Sequence, residues 1–350
     1  MATVSETNRG RLADHTTLRL GGPTDSLVEA TDRDRIVAAV TGADAVGEPV
    51  LLVAGGSNLV VSDEGFRGVT VLLRSRGVTV TDDADHVEVT VAAGENWDAL
   101  VARSCAEGWS GLEFLSGIPG SAGATPIQNV GAYGQEISSV FRHTDVLDRH
   151  SGEIRRFTGP ECHFGYRDSV FKHARDRYVV LEVTYRLAKS PLSQPIRYPE
   201  TAAALDVAVG ETVPLAVARQ TVLTLRRGKG MVLDPSDPDT YSAGSFFINP
   251  VVDTARFDAV AAAATTTPPH WRVDGGVKLS AAWLIGQAGF RRGYGHDGVA
   301  ISGKHLLALT NRGEGSSKAL LSLAREIRDR VEERFGVRLR PEPTMVGIDW

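Results

Sequence analysis

The chain has 350 residues, a formal net charge of -5 and 42% hydrophobic side chains, the composition of an ordinary soluble globular protein. That length exceeds what one hydrophobic core usually serves, so two or three domains are expected. The acidic balance argues against nucleic-acid binding, and no apolar run reaches the roughly 18 residues of a membrane span.

Residues 1–11 are polar, lack the apolar core of a signal peptide, and are expected to form a short disordered lead. A short helix is predicted over 32–40. Strand segments are predicted at 49–53 and 59–62, flanking the turn 54–58, and again at 69–73 and 87–91. The spacing predicts a helix over 97–107 with Gly108 placed to end it. Residues 141–148 and 153–157 resemble a hairpin across 149–152, and 178–187 alternates as a strand. The proline-punctuated stretch 190–199 reads as a linker or loop. Beyond it, 213–227 is helical and closed by Gly228 and Gly230, while 259–267 is merely rich in Ala and Thr. Residues 280–288 form a helix with Ser280 as N-cap and Gly289 as terminator. Residues 299–301 pair with 305–311 across Ser302-Gly303. The clearest helix is 317–335, where Leu320, Leu321, Ala324, Ile327, Val331 and Phe335 line one face and Gly336 caps the end. Strands and helices without a βαβ rhythm indicate α+β domains.

The most informative stretch is 116–134, which has no charged side chain and carries glycines at 117, 120, 123, 131 and 134. Glycine permits positive φ and close approach, and freed N–H groups bind anions. The segment therefore reads as a cradle for a nucleotide-type cofactor, with a long structural loop as the plain alternative. It is not a Rossmann fingerprint, because the glycines give G-x-x-G-x-x-G and Pro119 interrupts the turn. Residues 298–305 have the glycine and lysine spacing of a phosphate-binding loop but lack its Ser/Thr, and read as a hairpin. The turn Ala54-Gly55-Gly56-Ser57-Asn58 is a second small-residue loop, and the pair suggests two loops closing on one pyrophosphate.

Cys105 and Cys162 form no C-x-x-C pair, so both are expected as buried thiols of a reducing cytoplasm. Histidines 143, 150, 163 and 173 are scattered, and no metal site is expected. In Gly165-Tyr166-Arg167-Asp168-Ser169, Arg167 offers a fixed cation for a carboxylate, or else a surface ion pair. Ser245 lies among small residues before Phe246 and Phe247. A serine in such a water-poor setting can deliver a proton, a role worth roughly 10²–10⁴ in rate. Phe247 replaces the last glycine of a G-x-S-x-G elbow, which disfavours a hydrolase triad. Glu342 stands between Pro341 and Pro343, a rigid mount for a carboxylate and otherwise an exposed loop.

Taken together these segments resemble the UDP-N-acetylenolpyruvoylglucosamine reductase family. The matching pieces are Ala54-Gly55-Gly56-Ser57-Asn58, Gly117-Ile118-Pro119-Gly120-Ser121-Ala122-Gly123 with Ile127-Gln128-Asn129-Val130-Gly131-Ala132-Tyr133-Gly134, the 164–169 segment, Ala243–Phe247 with Asn249-Pro250, and Pro341-Glu342. They run in family order and cover most of the chain. The resemblance implies an α+β flavin-binding fold of the vanillyl-alcohol-oxidase type in two subdomains, 1–76 with 337–350 and 77–212, plus a third, substrate-binding domain over 213–336. It implies FAD held by Gly55, Gly56, Ser57, Asn58 and by Gly117, Ile118, Pro119, Gly120, Ser121, Gly123, Gln128, Asn129, Gly131, Ala132 and Tyr133. It further implies NADPH as hydride donor and a UDP-sugar substrate whose enolpyruvyl ether is reduced in peptidoglycan synthesis. Ser245 resembles the proton donor, and Arg167 with Glu342 the pair that polarises the substrate carboxylate. Tyr198 resembles the substrate-loop tyrosine of one family type. Lys229, Asn249 and Gln287 resemble substrate-contacting positions. The spacing from Lys229 to Asp234-Pro235 is two residues longer than the family's, which leaves Arg226 or Arg227 as alternatives, and Ile248 stands where many relatives carry lysine. The protein is expected in the cytoplasm, with a monomer as the default. Two rival readings are another FAD-dependent oxidoreductase of the same fold, which would not keep Ser245, Arg167 and Glu342 together, and a nucleotide-binding protein without catalysis.

Overall fold

The computed structural model describes residues 10–350. The expected disordered lead lies outside them except at its end, where Arg11 bridges Pro23. The chain divides into two compact units. The first comprises Asp25–Gly55 and Arg67–Arg227, and the second Gly10–Thr24, Gly56–Phe66 and Gly228–Trp350.

In the first unit, the β-branched and leucine runs Val50–Val53 and Phe66–Leu73 pair in parallel, as buried strands rich in such residues do. Helix Arg33–Ala45 covers this small sheet. It starts at Asp32, whose carboxylate accepts from Arg35 N–H at 2.8 Å. Ile36, Val40 and Ala43 pack on Val69, Val71 and Leu73, and on Leu147, Val179 and Leu181 of a larger sheet. The larger sheet is antiparallel in the order 153–158, 141–148, 178–189, 86–92, 78–83. Alternation in 86–92 buries Val87, Val89 and Val91 against Trp97, Leu100 and Val101 of helix Trp97–Ala106.

Helix Leu215–Gly228 belongs to this first unit, although the sequence reading began a third domain at 213. Its Ala218 and Val222 find their apolar partners in Phe114, Ile196, Ala202 and Val213. Gly228 lies inside the helix rather than beyond it. The expected linker 190–199 is a loop that ends in a helix, Pro199–Leu205.

In the second unit, Ser242–Ser245, Ala308–Asn311, Val299–Ile301 and Gly295–His296 form one antiparallel sheet. The predicted 299–311 pairing is present with a wider loop over 302–307. Helix Ser317–Phe335 is N-capped by Ser316 and ended by Gly336 at φ +62°, and buries Leu320, Leu323, Ala324, Ile327, Val331 and Phe335. The stretch read as Ala/Thr-rich contains the end of helix Thr254–Ala263, followed by the hairpin His270–Val273 with Gly276–Leu279. Strand Leu59–Val61 pairs in parallel with Thr344–Val346. The two strand segments flanking the 54–58 turn therefore serve different units, and the chain passes from one unit to the other at Gly55-Gly56. Among the described residues no helix is long and apolar enough to cross a membrane, and no group of His, Cys, Asp and Glu could hold a metal ion.

Candidate functional site

The 116–134 segment runs through a 3₁₀ helix at Ala122–Gln128 and is held by backbone and side-chain hydrogen bonds alike. It passes under the first turn of helix Trp97–Ala106: Trp97 Nε1 donates to Leu115 O at 3.2 Å and Trp97 N to Gly120 O at 3.2 Å. Ala122 N and Gly123 N donate to Glu95 O and Ala93 O, both at 2.9 Å. A Cβ on Gly55 would lie 2.6 Å from Gly120 Cα, so the 54–55 turn presses directly on this segment. Arg74 Nη1 donates to Ala54 O at 2.7 Å and steadies the same turn.

Gly117 N donates to Asp98 Oδ1 at 2.6 Å, and Pro119 has no N–H. The N–H groups of Ile118, Gly120 and Ser121 find no partner among the described residues, and the buried Ser121 Oγ has none either. Three N–H groups and one hydroxyl without a partner, in a run without charge, are groups of the kind that bind a phosphate. The residues present therefore fit a pyrophosphate-bearing cofactor such as FAD.

The second half of the segment carries the remaining predicted contacts. Residues 131–136 form a minimal hairpin, Gly131–Ala132 with Gln135–Glu136. Asn129 sits at φ +46° with its amide fully engaged: Nδ2 donates to Glu136 Oε2 at 2.8 Å and Gly165 O at 3.1 Å, and Oδ1 accepts from Ser138 N at 3.1 Å. Its side chain braces the hairpin. Arg167 stands at the corner of a two-residue turn closed by Gly165 and Asp168, at φ +53°. Its Nη2 donates to Gly131 O at 2.8 Å, so the predicted cation and the glycine segment meet. Tyr198, at the start of helix Pro199–Leu205, packs edge-on against Tyr133 with ring centroids 5.7 Å apart. Burial pushes the Tyr133 phenol up to about 12 and raises that of Tyr198. Burial likewise lowers the Arg226 guanidinium, partly offset by Tyr133 and Asp98.

The second unit brings Ser245 and Glu342 together. Phe247 bridges Pro341, Glu342 N donates to Phe246 O at 2.8 Å, and Ile248 N donates to Arg340 O at 3.1 Å. Ser245 itself pairs with Ala308. Phe246 and Phe247 are each 1% exposed and pack against Trp350. Gly56, Ser57 and Asn58 belong to this unit as well. A Cβ on Gly56 would fall 1.9 Å from His15 O, and Asn58 O accepts from Thr344 N at 2.9 Å. Asn249 Oδ1 accepts from Ala281 N at 2.9 Å, at the start of helix Ala281–Gln287. Gln287, the last residue of that helix, accepts from Thr265 Oγ1 at 3.3 Å. Seven residues of helix span about 10 Å, so Asn249 and Gln287 stand at opposite ends of it. Lys229 follows the end of helix Leu215–Gly228.

Two residues absent from the sequence reading, Asp98 and Arg219, hold the glycine segment. Arg219 Nη1 and Nη2 reach Asp98 Oδ1 and Oδ2 at 2.6 and 2.9 Å. Burial alone would raise the Asp98 carboxyl, but the Arg219 fork, the Gly117 N–H and the charges of Arg219 and Arg226 outweigh it and hold it below the ordinary carboxylate value. No local signal joins residues 121 positions apart.

Both parts of the chain are similar to known proteins. Residues 24–158 match the model of an FAD binding domain, and 235–346 match that of the UDP-N-acetylenolpyruvoylglucosamine reductase C-terminal domain. The UDP-N-acetylenolpyruvoylglucosamine reductase of Salinispora arenicola is 56% identical over 96% of this chain and 94% of its own. That of Thermobifida fusca is 51% identical over 99% of both. The crystal structure of UDP-N-acetylenolpyruvylglucosamine reductase from Thermus caldophilus superposes with a TM-score of 0.65 at 25% identity, covering 97% of this chain and 99% of that one. With identity this high along nearly the whole of both chains, the protein belongs to the UDP-N-acetylenolpyruvoylglucosamine reductase family.

Proposed function

We propose that this protein is an FAD-dependent oxidoreductase that reduces the enolpyruvyl group of UDP-N-acetylenolpyruvoylglucosamine in peptidoglycan synthesis, with NADPH as the hydride donor, acting as a monomer in the cytoplasm. The observation that carries the reading is the run of unpartnered N–H groups at Ile118, Gly120 and Ser121, with the Ser121 hydroxyl, inside a chain whose relatives carry that name. Ile118, Gly120 and Ser121, with Gly55 pressed against Gly120, would hold the cofactor pyrophosphate. Bound flavin supplies the hydride that the terminal carbon of the enol ether takes up.

The chain's own residues account for the rest of the reaction. Hydride addition leaves negative charge on the neighbouring carbon and its carboxylate. Arg167 stabilises that charge as a cation held by Gly131 O, and Glu342 would do so as a neutral acid that donates a hydrogen bond to it. The Ser245 hydroxyl gives its proton to the neighbouring carbon, so that one hydride and one proton have crossed the double bond. Rigidity around Ser245 comes from pairing on both sides, with Ala308 and with the 340–342 segment. Tyr198, held on Tyr133, takes the substrate at the loop, and Lys229, Asn249 and Gln287 contact the nucleotide sugar.

Stopped-flow separation of the half-reactions tests this. In Ser245→Ala, flavin reduction by NADPH proceeds at the wild-type rate, while reoxidation by the enolpyruvyl sugar nucleotide slows by on the order of 10²–10⁴. Equal loss in both half-reactions would remove Ser245 from the chemistry. A folded wild-type protein that takes up no FAD would sink the reading as a whole.

A further inference from the structure

The glycine segment reads in the sequence as a self-contained loop, yet its first glycine is tied to a helix far along the chain. Gly117, at φ +71°, spends its N–H on Asp98 Oδ1 at 2.6 Å. The same carboxylate takes both arms of the Arg219 guanidinium. Asp98 stands in the first turn of helix Trp97–Ala106, where the helix dipole favours an anion. Arg219 stands on helix Leu215–Gly228, fixed by the burial of its neighbours Ala218 and Val222, which are both 0% exposed. Trp97 holds Leu115 O on one side of Gly117 and Gly120 O on the other. The conformation that leaves the N–H groups of Ile118, Gly120 and Ser121 unpartnered is therefore set at Gly117.

We propose that Asp98 and Arg219 form a latch that positions residues 117–121 for the cofactor, Asp98 by holding the Gly117 N–H and Arg219 by holding Asp98. Both are positioning residues, since neither is assigned a contact to cofactor or substrate. The proposal rests on the reading that this segment binds FAD. A bidentate guanidinium–carboxylate pair fixes direction as well as distance, whereas a lysine would hold the charge and lose the fork. Helix Leu215–Gly228 thereby becomes part of the cofactor site without touching the cofactor.

The test measures FAD affinity of the apoprotein by flavin fluorescence quenching, with hydrogen–deuterium exchange of the peptide containing Gly117. Arg219→Met weakens FAD binding about tenfold and speeds exchange at Gly117, and Arg219→Lys recovers part of both. Asp98→Asn, which presents an amide N–H₂ to the Arg219 fork, weakens binding by a similar factor. The double variant Asp98→Asn/Arg219→Met is no worse than the single variants, as expected of one coupled device. A merely structural ion pair would lower the melting temperature of apo and holo forms equally and leave the FAD dissociation constant unmoved. That result, or additive losses in the double variant, overturns the latch. Should Arg219→Met fail to fold, Arg219→Lys and Asp98→Asn carry the same comparison. Wild-type protein that binds no FAD would defeat the underlying reading instead, and the two failures are told apart by that control.

Discussion

The two units carry their candidate functional residues by opposite means. The first uses backbone: unpartnered N–H groups at Ile118, Gly120 and Ser121, and a contact between Gly55 and Gly120 that leaves no room for a Cβ. The second uses side chains mounted on paired strands, with Ser245 and Glu342 drawn together across nearly a hundred residues of sequence by the 246–248 and 340–342 pairing. A site made of backbone tolerates no added side chain, whereas one mounted on packed strands depends on what lies beneath it. The two should therefore fail differently when mutated.

Among changes to the supporting framework, the largest expected effect is on the backbone side. In Gly55→Ala the new methyl falls 2.6 Å from Gly120 Cα and 3.2 Å from Gly120 C. Neither atom is a flexible side-chain end, so one of the two loops must move. Overpacking of this kind costs about 1–3 kcal/mol, and the upper end corresponds to roughly a hundredfold loss of FAD affinity. The protein should purify folded and pale, with the flavin dissociation constant measured by fluorescence titration. Retention of wild-type affinity would mean that the 54–55 turn is not part of the cofactor cradle.

Changing what lies beneath the side-chain half, rather than its reacting groups, should act more mildly and in a different observable. Phe247 is 1% exposed beneath the Ser245 strand and meets both Phe246 and Trp350. Phe247→Leu keeps the site apolar and costs up to about 1.5 kcal/mol. The expected outcome is about a tenfold slower reoxidation by substrate with the FAD dissociation constant within a factor of about two of wild type. Weakened flavin binding with an unchanged reoxidation rate would erase the contrast between the two units.

The same contrast explains what could be read from the sequence. Glycine spacing betrays a backbone site, because Gly117, Gly120 and Gly123 are needed for conformation and clearance wherever the rest of the chain goes. Helix 317–335 was equally legible, since a long 3.6-residue period with Gly336 after it signals the element and its end locally. The period of helix Leu215–Gly228 was legible too, but a periodic face does not say which core receives it. Phe114 and Ile196 do, and the helix joined the first unit. The engagement of Asn129 by Glu136 and Gly165, and the Asp98–Arg219 pair, rest on tertiary proximity and have no sequence signature.

The smallest effect concerns alkaline pH and again separates the units. Both thiols lie in the first unit, and burial pushes Cys162 up to about 12 and Cys105 up to about 11 from an ordinary 9.0. A folded-state value above the unfolded one means that the native form holds its proton more tightly. The associated stability is therefore complete below pH 9 and is lost as pH rises through 9 toward 12. Cys162 is 0% exposed within the core of the larger sheet, so ionisation there must open the first unit. Exchange protection measured at pH 8 and at pH 10 should fall first in the 141–189 strands, with the 299–335 region following later. Cys162→Val removes the buried acid while keeping the site apolar, and should move the onset in the first unit to higher pH. If the second unit lost protection first, or if Cys162→Val left the onset unmoved, buried thiols would not be what limits the first unit in alkali.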